Sequence, residues 1–282
     1  MNCYLCNSTH FTSRKGEVRD APGIKIIQCS SCGLVTLSAS DHITDGFYEK
    51  SGMHGAEPTP MEVWLKDTEW DDQRRFEMIK AILPNKRLLD FGCGAGGFLQ
   101  RAQSLSADVM GIELEARVKE YWHGKLNIVS NVASATGDFD LITAFHVVEH
   151  LPDPRAMLGN LAKLLQPRGR IVVEVPNAED ALLTLYDCTA FQCFTYWSQH
   201  LFLFNSTTLE MLARQVGLKV VAVQHYQRYP LSNHLHWLSK GQPGGHQHWA
   251  FLDSPEMSRA YAGTLAAVGK TDTLLAYLEM AH

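Results

Sequence analysis

The sequence predicts an α/β fold, a parallel sheet with helices on both faces, preceded by a small cysteine-bearing module. Three observations carry this. From residue 86 onward, short apolar runs alternate with segments of helical spacing, and such alternation builds a parallel sheet covered on both sides. One junction, "DFGCGAGG" at residues 90 to 97, holds four glycines. Two Cys-x-x-Cys pairs fall within the first 37 residues.

The first 37 residues are short and turn-rich. Cys3 and Cys6 are followed, with 22 residues between the pairs, by Cys29 and Cys32. Two such pairs form a tetrahedral thiolate site at a spacing close to that of zinc ribbons. Gly33 suits the strained turn after the second pair. The expectation is a structural Zn²⁺ with four protein ligands, which leaves no open catalytic position. A module this small needs a staple to fold. Losing the metal is expected to unfold the ribbon and leave the rest folded. A redox dithiol is the alternative, and His10 an alternative ligand.

Residues 38 to 59 read as a linker with Gly46, Gly52, Gly55 and Pro58. Val63, Trp70, Phe76, Ile79, Ile82 and Leu83 then recur at helical spacing until Pro84 closes the helix. Residues 38 to 84 are thus linker plus helix, and residues 85 to 282 the main domain.

In that domain "RLLDF" reads as a strand and "GFLQRAQSL" as a helix. "DVMGIEL", "NIVSNV" and "FDLITAFHVV" read as strands, with "EARVKEYWHG" a helix after the first of them. "DPRAMLGNLAKLLQ" is a helix stopped by Pro167 and Gly169, followed by the strand "GRIVVEVP". "NSTTLEMLARQVG" is a capped helix and "KVVAVQHY" a strand. "TDTLLAYLEM", residues 271 to 280, closes the series.

Ligands of such sheets bind outside the carboxyl ends of the strands. Gly92, Gly94 and Gly96 let the backbone turn tightly and a ligand approach, next to the free N–H groups of a helix start. Gly92, Gly94 and Gly97 also satisfy GxGxxG, the dinucleotide fingerprint. Glu113 lies about twenty residues on and suits a ribose diol in either case. Asp90 separates the two, since a carboxylate there receives an ammonium but repels a pyrophosphate.

The stretches "LLDFGCGAGGFL", "GIEL", "FDLITAFHVVEHLPDP" and "LLQPRGRIVVEVPN" together resemble class I S-adenosylmethionine (SAM)-dependent methyltransferases over residues 86 to about 225. The resemblance implies a seven-stranded Rossmann-like sheet whose last strand runs antiparallel, making residues 226 to 268 an excursion between the sixth and seventh strands. It places Asp90, Gly92, Cys93, Gly94, Gly96, Glu113, Leu114, Phe145 and His146 at SAM. Asn131, Val132 and Ala133 stand where adenine would lie. Cys93, Cys188 and Cys193 otherwise read as buried thiols. The resemblance extends to bacterial proteins joining a zinc ribbon to a SAM domain in sugar or surface-polysaccharide pathways. It implies O-methylation of a sugar, glycan or related small molecule.

Methyl transfer to a hydroxyl usually needs a base, and a neutral imidazole can serve. His200, between an aromatic lid at residues 178 to 199 and the next helix, is the first candidate; His146 is the second. Glu149 and His150 read as structural ties. The acceptor is expected between the lid and residues 226 to 250, over the loop of His146. His234, His236, His246 and His248 in that excursion are open to three readings: substrate loop, second metal or surface packing.

The chain has 282 residues, 45% of them hydrophobic, and a net charge of −5 at a pI of about 6.2. A protein built to grip nucleic-acid phosphates is usually basic, which counts against the rival reading of a ribosomal-RNA base methyltransferase. Asp90 and the antiparallel last strand count against the other rival, a NAD-dependent oxidoreductase. No signal pattern and no apolar run near 18 residues occur, so the expectation is a soluble, cytoplasmic enzyme.

Overall fold

The computed structural model describes residues 1–44, 46–48 and 58–281. Gly52 and Gly55 of the expected linker lie outside these. The chain opens with three short strands, β1 (Phe11–Ser13), β2 (Ile26–Cys29) and β3 (Val35–Leu37), joined antiparallel. Helix α1 (Met61–Ile79) follows. The main domain then alternates β4 (Arg87–Phe91), α2 (Gly97–Ala102), β5 (Asp108–Ile112), α3 (Ala116–Tyr121), β6 (Asn127–Val129), β7 (Phe139–Phe145), α4 (Pro154–Ala162) and β8 (Leu165–Pro176). Next come α5 (Ala181–Thr184), α6 (Thr189–Thr195), β9 (Phe202–Leu203), α7 (Ser206–Arg214) and β10 (Leu218–Tyr226). Helices α8 (Leu231–Lys240), α9 (Gly245–His248) and α10 (Pro255–Ala267) precede β11 (Thr273–Met280).

Seven strands form the main sheet in the order β10-β11-β8-β7-β4-β5-β6. All pairs are parallel except those of β11, which is antiparallel to both β8 and β10. The expected antiparallel last strand is therefore present. The chain runs from β4 outward to β6, then returns to β7 on the other side of β4. That reversal leaves a crevice between the carboxyl ends of β4 and β7, the switch point at which such sheets take ligands.

Hydrophobic burial is split between the two faces. Leu88, Phe98, Leu99, Val118 and Trp122 pack with Met61 and Ile79 of α1 on one side. Leu158, Leu161, Leu209 and Leu212 of α4 and α7 pack on the other. Capping follows the sequence: Asn205 and Thr208 form a reciprocal capping box on α7, which satisfies donors the helix start leaves orphaned.

Two local expectations differ. Helix α4 stops at Ala162 and β8 already begins at Leu165. Here Phe139 pairs with Leu165, and the register shifts before Leu141 meets Arg170. A Cβ on Gly169 would lie 2.9 Å from the carbonyl oxygens of Gln166 and Phe139, so glycine serves inside the strand rather than as a helix stop. The excursion is mostly helical, held by buried histidines: His234 meets the Tyr261 hydroxyl at 2.7 Å and His236 the Gln242 carbonyl at 2.8 Å.

The N-terminal strands do not stand apart. β9, from the main domain, extends their sheet through Val35↔Leu203 and Thr36↔Phe202. Leu34, Val35 and Leu37 belong to the same buried cluster as Val173 and Leu209. Further ties run from this module to the lid: Arg14 donates to the Tyr196 hydroxyl at 2.8 Å, and Asp20 accepts from Ser198 N–H at 2.9 Å.

Candidate functional site

A cavity of about 460 Å³ opens at the switch point. The loop Gly92–Ala95 after β4 forms its floor, with Ile112 to Glu115 after β5, Asn131 and Val132 after β6, and Phe145 to Val147 after β7. Helix α1 supplies Trp64, Thr68, Asp72 and Arg75; Tyr48, His150, Leu151 and Met157 complete the wall.

The glycine loop is built for close backbone approach. Gly92, Gly94 and Gly96 all have positive φ, at 69°, 53° and 84°. At Gly96 a Cβ would lie 2.6 Å from Trp122 Nε1, whose N–H donates to the Ala95 carbonyl at 2.8 Å. At Gly94 the nearest atom to a Cβ is on Trp64, 3.5 Å away across the cavity. Packing thus requires glycine at 96, whereas at 94 it keeps the floor of the cavity bare.

Glu113 binds the loop from the side. Its carboxylate accepts the amides of Gly94 at 2.9 Å, Leu114 at 2.7 Å and Glu115 at 3.2 Å. Burial raises its pKa, and those amides oppose the rise. Asp90 sits deeper. It is 3% exposed, accepts from the Thr143 hydroxyl at 2.7 Å, and does not line the cavity. Burial pushes its carboxyl up to about 7 against the Thr143 bond. Asp72, by contrast, does line the cavity; it accepts from Thr68 at 2.9 Å and packs against Gly97.

Cys93, Leu114, Phe145 and His146 all line the cavity. Cys93 is buried, and its sulfur lies 2.7 Å from where a Cβ on Gly111 would stand. Asn131 and Val132 line it too, while Ala133 is not among the lining residues.

His146 adopts φ 54° and breaks β7. Its Nδ1 lies 3.0 Å from the Glu149 carboxylate and its Nε2 2.9 Å from that of Glu174, with Arg228 3.3 Å from Nε2. Burial alone would lower its pKa, but the two carboxylates overcome this and raise it. Glu174 also receives Arg74 at 2.7 Å and Arg75 at 3.4 Å. Despite complete burial, these cations hold Glu174 well below the usual carboxylate range.

His200 is placed differently from expectation. It does not line the cavity; its ring lies 4.9 Å behind that of His150. Nδ1 contacts the Thr195 carbonyl at 3.0 Å. Burial, aided by His150, pulls its pKa down to about 4. The lid carries His200 on the ribbon-facing side, so His150 stands between it and the cavity. Nor do the lid or residues 226 to 250 contribute lining residues among those described. Their aromatic groups pack on each other, as Phe191 does on Trp237 at 5.3 Å.

Thr68, Asp72 and Arg75 were not expected at the site. Their signal lay in α1, where Trp64, Thr68, Asp72 and Arg75 share one face at helical spacing. That puts two charges where an amphipathic helix should be apolar.

In the N-terminal module, the four cysteine sulfurs lie within 4.8 Å of one another. Cys3 to Cys32 and Cys6 to Cys29 are each 3.5 Å, close to the roughly 3.8 Å edge of a tetrahedron with 2.3 Å metal–sulfur bonds. Each pair ends in a left-handed residue, Asn7 at φ 57° and Gly33 at φ 83°. Their amides return to the Cys3 and Cys29 carbonyls at 2.9 Å. Burial opposes ionisation of Cys29, but the amides of Cys32 and Ser31 bring its thiol down to about 6. The gathering of four sulfurs fits a divalent metal.

A family model described as a methyltransferase domain matches residues 66–223, more than half of the chain. The chain belongs to the methyltransferase-domain family. The fold of this family member is that of class I SAM-dependent methyltransferases. It resembles a SAM-dependent methyltransferase from Archaeoglobus fulgidus at a TM-score of 0.53, with 19% identity, 74% of this chain and 93% of that one covered. A 1,6-didemethyltoxoflavin-N1-methyltransferase from Burkholderia thailandensis, solved with its substrate and S-adenosylhomocysteine, gives 0.51 at 14% identity, covering 92% and 96%. The ubiquinone biosynthesis O-methyltransferase of Thiobacillus denitrificans is 31% identical over 110 residues, 35% of this chain and 47% of that protein. The family member described here spans about half the length of the curated relatives it matches. None of its helices, among the described residues, is long and apolar enough to cross a membrane.

Proposed function

We propose that this chain transfers the methyl group of SAM to a hydroxyl oxygen of a small molecule. The observation that carries the reading is the charge lining the cavity. Glu113, held by three amides after β5, is placed to accept from a ribose diol. Arg75 and Asp72 of α1 offer a cation and an anion, matching the carboxylate and ammonium of an amino acid. SAM carries both groups. A dinucleotide would bring its pyrophosphate against Asp72 instead. Asn131 and Val132 would flank adenine, and Phe145 the sulfonium. Asp90 would act through the loop and the local field.

When bound, SAM supplies an electrophilic methyl on sulfur: the acceptor oxygen forms the new C–O bond, the C–S bond breaks, S-adenosylhomocysteine leaves and the hydroxyl proton is released. Both nitrogens of His146 are engaged by carboxylates, which suits it to positioning rather than proton removal. The remaining cavity-lining imidazole is His150, which is assigned to the acceptor end in place of His200. The acceptor end near Tyr48, Val147, Leu151 and Met157 is largely apolar. It favours an apolar or aromatic hydroxyl compound, in line with the relatives named for ubiquinone biosynthesis. A glycan acceptor, the finer expectation from the sequence, would need the excursion's polar groups, which stand off the cavity. The four cysteines are assigned a structural Zn²⁺.

Calorimetry with S-adenosylhomocysteine tests the cofactor half. Binding is expected, with Arg75→Ala at least tenfold weaker, whereas binding of NAD instead would overturn it. Transfer of labelled methyl to phenolic rather than sugar acceptors tests the other half; turnover only with sugars would return the assignment to glycans.

A further inference from the structure

Behind His150 lies a second cluster that the cofactor site does not use. Glu149, His150 and His200 bring one ligand atom each to within 4.8 Å of one another. Glu149 is wholly buried, and its Oε2 finds no hydrogen-bond donor among the described residues. Its other oxygen is taken by His146 at 3.0 Å. An orphaned carboxylate oxygen in the interior costs considerable free energy unless a cation or donor meets it.

The histidines do not supply a donor in their neutral form. His150 Nδ1 lies 2.8 Å from the Gln199 carbonyl, and His200 Nδ1 lies 3.0 Å from the Thr195 carbonyl. A carbonyl only accepts, so each Nδ1 carries the hydrogen and each neutral ring turns a lone pair out at Nε2. His150 Nε2 then stands 3.9 Å from the Glu149 carboxylate, acceptor facing acceptor. Three electron-pair donors converge with nothing positive between them. Backbone carbonyls fixing the far nitrogen of each ring are also the usual outer support of metal-ligating histidines.

We propose that Glu149, His150 and His200 bind a divalent transition metal, distinct from the cysteine site, at the wall of the acceptor cavity. Two imidazoles and one carboxylate favour Zn²⁺, Fe²⁺ or Co²⁺ over Mg²⁺ or Ca²⁺, which prefer all-oxygen sets. A bound ion with bonds of about 2.1 Å would draw the three atoms to roughly 3.4 Å apart, a contraction that tilting of the two rings supplies. Three protein ligands leave a position open, and His150 belongs to both the cluster and the cavity wall. Resting on the methyltransfer reading, the open position is assigned to the acceptor oxygen, whose proton the metal would acidify.

The test uses the full chain with its cysteine-bound zinc in place. After incubation with Co²⁺ and gel filtration, total metal is counted by emission spectroscopy. Two equivalents per chain are expected, with the second showing a visible cobalt spectrum free of sulfur charge transfer. Glu149→Gln and His200→Asn should each return the count to one. Wild type with one equivalent, or two equivalents kept in both variants, overturns the site. If neither variant folds, X-ray absorption at the cobalt edge of the wild type decides: imidazole scattering is expected, and its absence refutes the proposal. Binding of S-adenosylhomocysteine, measured on the same samples, tests the methyltransferase reading separately, so a missing metal and a missing cofactor site give different results.

Discussion

Replacing Asp90 by Asn should stabilise the ligand-free protein at neutral and alkaline pH. Asp90 is 3% exposed, ends β4 beside the glycine loop, and has one hydroxyl donor, Thr143. Burial raises its carboxyl from 3.8 to about 7. Between those values the folded state holds a proton that the unfolded chain has released. Stability therefore falls as pH rises through that window and levels off above it. A rise of about 3 units is worth at most about 4 kcal/mol at 1.36 kcal/mol per unit. Asn keeps the size and can accept from Thr143 but carries no charge to desolvate. Thermal melts of both proteins from pH 4 to 8 should coincide at the acid end. They should separate by up to roughly 8–16 °C at pH 8, with the variant higher, at 2–4 °C per kcal/mol for a domain of this size. The wild type should also bind S-adenosylhomocysteine more weakly below pH 7, where Asp90 is neutral. A flat difference between the melting curves, or a variant less stable at pH 8, would refute the reasoning.

Three further outcomes follow from the packing. Cys29→Ser should lower the melting temperature of the whole chain in a single transition, because β3 pairs with β9 and shares the main core; two separate transitions in calorimetry would show instead that the ribbon unfolds alone. Gly96→Ala should cost roughly 2–5 kcal/mol, combining a left-handed φ of 84° with a 2.6 Å contact to Trp122. Its mark is a shifted Trp122 emission, and denaturant melts within 1 kcal/mol of wild type would contradict it. Glu113→Ala leaves the Gly94, Leu114 and Glu115 amides without their shared acceptor. It should weaken S-adenosylhomocysteine at least tenfold in calorimetry, and unchanged affinity would exclude Glu113 from the ribose.

The sequence by itself determined the sheet and its floor. Strand and helix alternate too regularly from residue 86 for another fold, and "DFGCGAGG" marks the one turn where backbone must be bare. Cys3, Cys6, Cys29 and Cys32 were equally legible, because the knuckle geometry that gathers each pair is local. Tertiary structure decided what stands around that floor. Arg75 and Asp72 reach the cavity only because α1 packs across α2, a contact between segments that no local pattern specifies. His200 looked catalytic from its place between lid and helix, yet β9 joins the N-terminal sheet, and that pairing turns the lid toward the ribbon and sets His200 behind His150. His234 and His236 of the excursion looked available until the helix that carries them was seen to bury them. Short-range spacing fixes which residues share a turn or a face. Which faces meet depends on the burial of distant segments against one another, and there the acceptor side of the cavity was made.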